Sequence, residues 1–382
     1  MRYLLCLCFS FTLLAGCTNS SLTVAPDPPA PETPPDSGAC ALTLSDDVTV
    51  PTTLVKSAAA CDYLIEGYIR ISSTLVIEPG VVIQAVQDTS VAVDGGQIIA
   101  AGTPDARITI EGLNHAPGYW DGIQFFEGRE STFEYVDIKD AGQECGGLFC
   151  DAGGLVLKNV TVSLANSTVS NSYVDGLHVS SDVLFTRFED NRFYGNTLAG
   201  ILISGNEVHT LDAASDYAGG AEPNGMPYVY LRSSEQTAGE EFRWKKLNAP
   251  YLIGGYFRVY GGKLILEPGV EIVFGEAAWM TVQGNGVLQA VGSAAEPITF
   301  KGLVEQPGYW DGITFDKSPW EENRLEYVQM RHSGNLEGTS SALGAVRLQY
   351  GSSVYLGNSV IADNSEFGIS CYNFDPPTTP MF

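Results

Sequence analysis

Basic residues are scarce in this 382-residue chain: 20 Lys and Arg stand against 45 Asp and Glu, for a formal charge of −25. That balance excludes nucleic acid as a partner, because phosphate backbones are bound by basic footprints. Helical periodicity is also missing, since no long window keeps apolar residues at three-and-four spacing. Histidine is sparse and scattered, at positions 115, 178, 209 and 332, and no CxxC pair exists, so no zinc site is expected. EF-hand spacing and the Gly-Gly-x-Gly-x-Asp nonapeptide are absent, so no calcium site is expected. A Gly-x-Ser-x-Gly elbow and a phosphate loop are absent too. We therefore assign no catalytic, cofactor or metal residue from the sequence.

Long apolar runs are missing as well. Leu4–Ala15 is broken only by Ser10 and Thr12 and has signal-peptide length, too short for a spanning helix. It leads into Leu14-Ala15-Gly16-Cys17, which resembles the lipobox of bacterial lipoproteins. The resemblance implies a signal peptide over 1–16, cleavage before Cys17, and acylation of Cys17 to hold the protein in a lipid bilayer, since several chains give stable anchoring. Thr18, not Asp, follows the cysteine, which favours the bacterial outer membrane. Residues 17–39 carry six prolines and no aromatic residue. Such a segment buries no core and reads as a disordered tether. Within the body that follows, Cys40, Cys61, Cys145 and Cys150 are disulfide candidates in an exported setting, as a Cys40–Cys61 staple and a small Cys145–Cys150 loop. Cys371 is left over.

What the chain does have is repetition. VIEPGV (76–81) returns as ILEPGV (265–270), PGYWDGI (117–123) as 307–313, and EYV (134–136) as 326–328. Three motifs in the same order at nearly constant offset indicate an internal duplication. The expected organisation is a first half over 40–209, a connecting rung with an external loop (217–227) over 210–250, and a second half over 251–382. Short β-type runs separated by Gly, Asn, Asp and Ser fill both halves. A finer repeat places Leu155, Leu177 and Ile201 at the start of equivalent strands, with Gly176 and Gly200 before the latter two. Asn166 and Asn191, and Asn171 and Asn196, recur as equivalent turn residues. A period in the low twenties is one coil of a parallel β-helix. Asn suits the left-handed backbone of its turns and can stack into amide ladders.

These segments, with GTPDARITI (102–110) and GSAAEPITF (292–300), resemble the right-handed parallel β-helix repeat of bacterial surface lipoproteins within the pectin-lyase-like superfold. The resemblance implies an all-β, right-handed parallel solenoid. It implies little about activity, because the superfold hosts lyases, hydrolases, adhesins and scaffolds. The candidate ligand-binding residues are those of the duplicated motif: Tyr119, Trp120, Asp121, Tyr309, Trp310 and Asp311. Exposed, they would offer aromatic platforms and carboxylates to sugar rings; the alternative is that the tryptophans pack under a strand bend and the aspartates cap it. The expected function is non-enzymatic binding or adhesion to polysaccharide or an envelope protein. The alternatives are a polysaccharide lyase or glycoside hydrolase, and a structural spacer or assembly subunit.

Overall fold

The computed structural model describes residues 40–142, 151–236, 239–319, 321–334 and 344–372. Within them lie thirty-five short strands and one 3-10 turn, Val208–Thr210. Every pairing between strands is parallel, and each strand pairs with strands of neighbouring coils; among the described residues only Ala199–Ile203 and Met226–Leu231 pair as consecutive strands. This is a parallel β-solenoid. Cys17, Cys145 and Cys150 lie outside the described residues. The Cys40–Cys61 disulfide is present and closes a separation of 21 residues, a constraint on the unfolded chain of about 3 kcal/mol.

The alternation of the strands explains the core. In Ile108–Gly112, Thr74–Ile77 and Lys263–Leu266 the buried positions alternate with partly exposed ones, as a pleat with one face inward requires. The inward side chains form one continuous apolar cluster from Val48 to Leu348. The chain turns corners by a recurring device. Asn166, Asn171, Asp190, Gly195, Tyr135 and Tyr327 all have φ between 50° and 63°, and the residue after each, Ser167, Ser172, Asn191, Asn196, Val136 or Val328, is buried. One left-handed residue redirects the backbone, and the next enters the following strand pointing inward.

The inward polar residues stack into ladders. Ser167 N–H donates to Asn191 Oδ1 at 3.1 Å, and Asn191 N–H to Ser215 Oγ at 2.8 Å. Ser172 N–H donates to Asn196 Oδ1 at 3.0 Å, and Asn196 N–H to Asn224 Oδ1 at 3.1 Å. The expected equivalence of Asn166 with Asn191 and of Asn171 with Asn196 is therefore off by one residue. Strand register pairs Thr168 with Arg192 and Ser170 with Tyr194, so Asn166 stacks on Asp190 and Asn171 on Gly195. Leu155, Leu177 and Ile201 do stack in register. Gly176 and Gly200 are required there: a Cβ on Gly176 would meet Gly200 O at 2.8 Å, and one on Gly200 would meet Tyr217 O at 2.7 Å.

The 217–227 stretch, expected as an external loop, is largely built into a coil. Tyr217 is fully buried and stacks on Phe193, and Asn224 completes the ladder. Only 220–223 form a continuously exposed tip.

The recurring motifs do not land on the same face. One sheet runs through the body, linking Leu177–Val179 by way of Ala199–Ile203 and Met226–Leu231 to Tyr251–Ile253 and on to Ile298–Gly302. The first GI-F strand, Gly122–Gly128, belongs to this through-sheet. The second, Gly312–Asp316, belongs to a separate six-stranded sheet with Tyr256–Tyr260, Trp279–Gln283 and Val346–Gln349. Likewise YLI at 63–65 lies in a seven-stranded sheet, whereas YLI at 251–253 lies in the through-sheet. The second run of motifs thus starts one face further round.

A buried carboxylate gives the fold a pH dependence. Burial pushes Asp175 up to about 6, against the opposing hydrogen bond from Ala199 N–H and the charge of Arg232. A raised folded-state value means full stability below the unfolded value near 4, and a loss as pH rises through about 6, worth up to ~3 kcal/mol. Asp175→Asn keeps the acceptor for Ala199. It is expected to be more stable than the wild type by about 2 kcal/mol at pH 7, with the gain vanishing near pH 4. Denaturant titrations across that range would show it, and a gain independent of pH would count against it.

Candidate functional site

The duplicated motif builds two buried corners. Trp120 and Trp310 are each 0% exposed. Trp120 Nε1–H donates to Lys139 O at 2.8 Å and Trp310 Nε1–H to Arg331 O at 2.8 Å. The preceding tyrosines hold the corner through their backbones: Tyr119 N–H donates to Asp140 O and Tyr309 N–H to His332 O, both at 2.9 Å. Asp121 N–H and Asp311 N–H donate to Thr89 O and Ala278 O. Neither tryptophan presents a ring face to solvent, so the expectation of a stacking platform at Trp120 and Trp310 is corrected: both are core residues. Tyr119 and Tyr309 are half-buried against Gly112 and Gly302. Asp121 is half-buried on the through-sheet side, and burial together with the Asp88 charge raises it.

Asp311 has a different setting. It lines a groove of about 280 Å³ on the outward face of the six-stranded sheet, with Arg258, Trp279, Gln283, Asp316 and Arg347 among its neighbours. Register explains the convergence. Arg258, Thr281, Thr314 and Arg347 occupy one outward row on four successive strands. Tyr256, Trp279 and Gly312 occupy a parallel row. Tyr256 and Trp279 stack with ring centroids 5.1 Å apart, and the Arg258 guanidinium lies over both. Gly312 contributes no side chain, so the row falls away beyond Trp279. No side chain fits at Gly312, where φ is 112° and a Cβ would meet Ala345 O at 2.6 Å.

The electrostatics of the groove are unusual. Asp311 is 9% exposed, and burial raises its carboxyl against the pull of Arg347. Arg347 is 4% exposed, and burial lowers it against the charge of Asp311. Arg347 Nε–H donates to Thr314 Oγ1 at 2.8 Å, Gln283 Nε2–H to Asp316 Oδ2 at 3.0 Å, and Arg258 to Glu235 at 2.9 Å. Three buried polar atoms remain without a protein partner: Asp311 Oδ1, Asp316 Oδ1 and Arg258 Nε. Buried polar groups are nearly always paired in native proteins, so these three atoms have hydrogen-bonding capacity left for solvent or a ligand.

A second groove, of about 460 Å³, lies on the seven-stranded sheet between Arg107 and Arg192. Its central groups satisfy one another: Arg107 makes a bidentate pair with Asp137 at 2.9 and 2.6 Å, which raises the arginine. Three acidic residues elsewhere are engaged too. Asp140 accepts from Asn171 Nδ2, Glu189 pairs with Arg187, and Glu322 with Lys263. Among the described residues, no group of three or more His, Cys, Asp or Glu is arranged to hold a metal ion.

Of the six residues singled out from the sequence, one, Asp311, lines the groove. Arg258, Trp279, Asp316 and Arg347 were missed. The signal was present in the two sets of motifs. Inward residues agree, as with Ile123 and Ile313 or Phe125 and Phe315. Outward ones differ: Ser90 stands where Trp279 does, Phe126 where Asp316 does, and Val156 where Arg347 does. The fold and the groove define a parallel β-solenoid bearing one partly desolvated polar recess. No protein-family model, curated protein or solved structure matches the chain.

Proposed function

We propose that this chain is a lipid-anchored protein of the bacterial outer membrane that binds polysaccharide or another envelope component without transforming it. The observation that carries the reading is the set of three partnerless buried polar atoms around the Asp311–Arg347 groove. The lipobox at Leu14–Cys17 and the proline-rich 18–39 support export and display away from a bilayer. The Cys40–Cys61 disulfide suits an oxidising compartment. Binding is favoured over hydrolysis by the placement of the carboxylates. Asp316 closes the strand Gly312–Asp316 and Asp311 precedes that strand, so they do not face each other from neighbouring strands as a glycosidase acid and base face each other across a scissile bond.

Two measurements test the reading. Cys17→Ser should release the protein from the membrane fraction, and continued full retention would remove the anchor. Immobilised glycans and envelope polysaccharide should retain the full chain in detergent without being shortened. Absence of any retention, or release of smaller saccharides, would overturn the function.

A further inference from the structure

Resting on that reading, we infer that the Asp311–Arg347 groove is the binding site, and that its ligand is a neutral, hydroxyl-rich glycan lying along the solenoid axis. The hydrogen-bond inventory specifies the chemistry. Asp311 Oδ1 and Asp316 Oδ1 each need a donor, and Arg258 Nε–H needs an acceptor. A ligand filling all three must donate twice and accept once along the groove. A hydroxyl does both, and the hydroxyls of successive sugar rings supply such a set.

The aromatic row specifies the shape. Trp279 is backed by Tyr256 on one side, and its other neighbour in the row is Gly312. Gly312 adds no side chain beside the indole, and Trp279 and Asp311 both line the groove. An indole face flanked by carboxylates suits the apolar C–H face of a pyranose whose hydroxyls point outward. The groove crosses four strands, three steps of ~4.8 Å, so it is ~14 Å long and admits more than one ring.

The charges exclude the competitors. Two carboxylates, Asp311 and Asp316, line the groove with two guanidiniums, Arg258 and Arg347, and Arg258 is already paired with Glu235, so no positive excess is left to hold an anion. A metal cation would meet two arginines, and an acidic glycan would meet two carboxylates on a chain of net charge −25. The first run of motifs lacks the site: Ser90 replaces the platform, Phe126 replaces the second carboxylate, and Val156 replaces the buried arginine. One site per chain is expected.

The test is a binding titration of the full chain with neutral and uronate-containing oligosaccharides and with an extended neutral peptide. Asp311→Asn, Asp316→Asn and Trp279→Ala are tested alongside. Arg192→Ala, in the other groove, serves as the control. The neutral oligosaccharide should bind at one site per chain. Each groove variant should weaken it roughly tenfold or more, as expected when a buried partner is lost, and Arg192→Ala should leave it unchanged. Far-UV circular dichroism verifies folding. Trp279 and Asp316 are both partly exposed, so these two variants keep the test open even where Asp311→Asn fails to fold. Glycan binding that the folded groove variants leave intact would overturn the site while sparing the general function. Preference for the uronate, or binding of the peptide alone, would overturn the ligand class. No binding of any saccharide would overturn both.

Discussion

Replacing Trp310 by Ala is expected to destabilise the solenoid by about 4 kcal/mol, the range for emptying a fully buried tryptophan site. The ring lies parallel to Phe274 with centroids 3.9 Å apart, so its loss strips a second aromatic of contacts as well as opening a cavity. Its Nε1–H is the donor to Arg331 O, and that carbonyl would lose this partner. Trp120→Ala should cost somewhat less, about 3 kcal/mol, because Ala85 stands where Phe274 does and no ring stack is lost. Trp310→Phe retains most of the volume but not the donor, and should cost about 1–2 kcal/mol. Urea unfolding followed by far-UV circular dichroism avoids the change in tryptophan emission. A loss below about 1 kcal/mol for Trp310→Ala would show that the corner collapses without penalty and that this indole is not structural.

That result bears on how the sequence is read. PGYWDGI is conspicuous because it occurs twice, and a tyrosine–tryptophan–aspartate run invites a functional reading. Its repetition instead reflects a corner that must be built twice. The residues of the groove, Arg258, Trp279, Asp316 and Arg347, are inconspicuous in sequence because axial stacking brings together positions separated by the length of a coil. The solenoid itself was legible: a period in the low twenties, paired EPGV segments and short alternating strands leave little else that could bury every inward face. The displacement of the second run of motifs by one face was not legible. It depends on how the single coil over 204–225 winds, and that coil contains only one short 3-10 turn and isolated contacts such as Arg192 with Asp216. Ladder composition was half legible. Asparagine was expected in both left-handed turns and amide stacks, and it serves in both, but Asn166 and Asn171 take the turns while Asn191 and Asn196 take the stacks.

The division of labour among asparagines predicts the second large effect. Asn196 is 1% exposed. Its Oδ1 accepts from Ser172 N–H, and its Nδ2 donates to Asn224 Oδ1 at 2.9 Å and to Val169 O at 3.3 Å. Asn196→Ala leaves a buried N–H and a buried carbonyl unpaired on adjacent coils, for an expected loss on the order of 4 kcal/mol. Asn166→Ala changes the same residue type at a left-handed turn whose side chain is only half-buried. It should cost about 1–2 kcal/mol, the backbone preference alone. Asn196→Asp separates packing from hydrogen bonding. It fits the space and still accepts from Ser172, but it faces Asn224 Oδ1 and Val169 O with oxygen where a donor stood. Only its protonated form can donate to either of them, and to one at a time, so burial holds its folded-state value above that of the unfolded chain. Its stability should therefore be greatest at acidic pH and fall as pH rises through the folded-state value, whereas the Ala deficit should not follow pH in this way. Equal losses for Asn196→Ala and Asn166→Ala, or an Asp variant with no pH dependence, would show that the stacked amides are spectators and that inward apolar packing alone holds the coils in register.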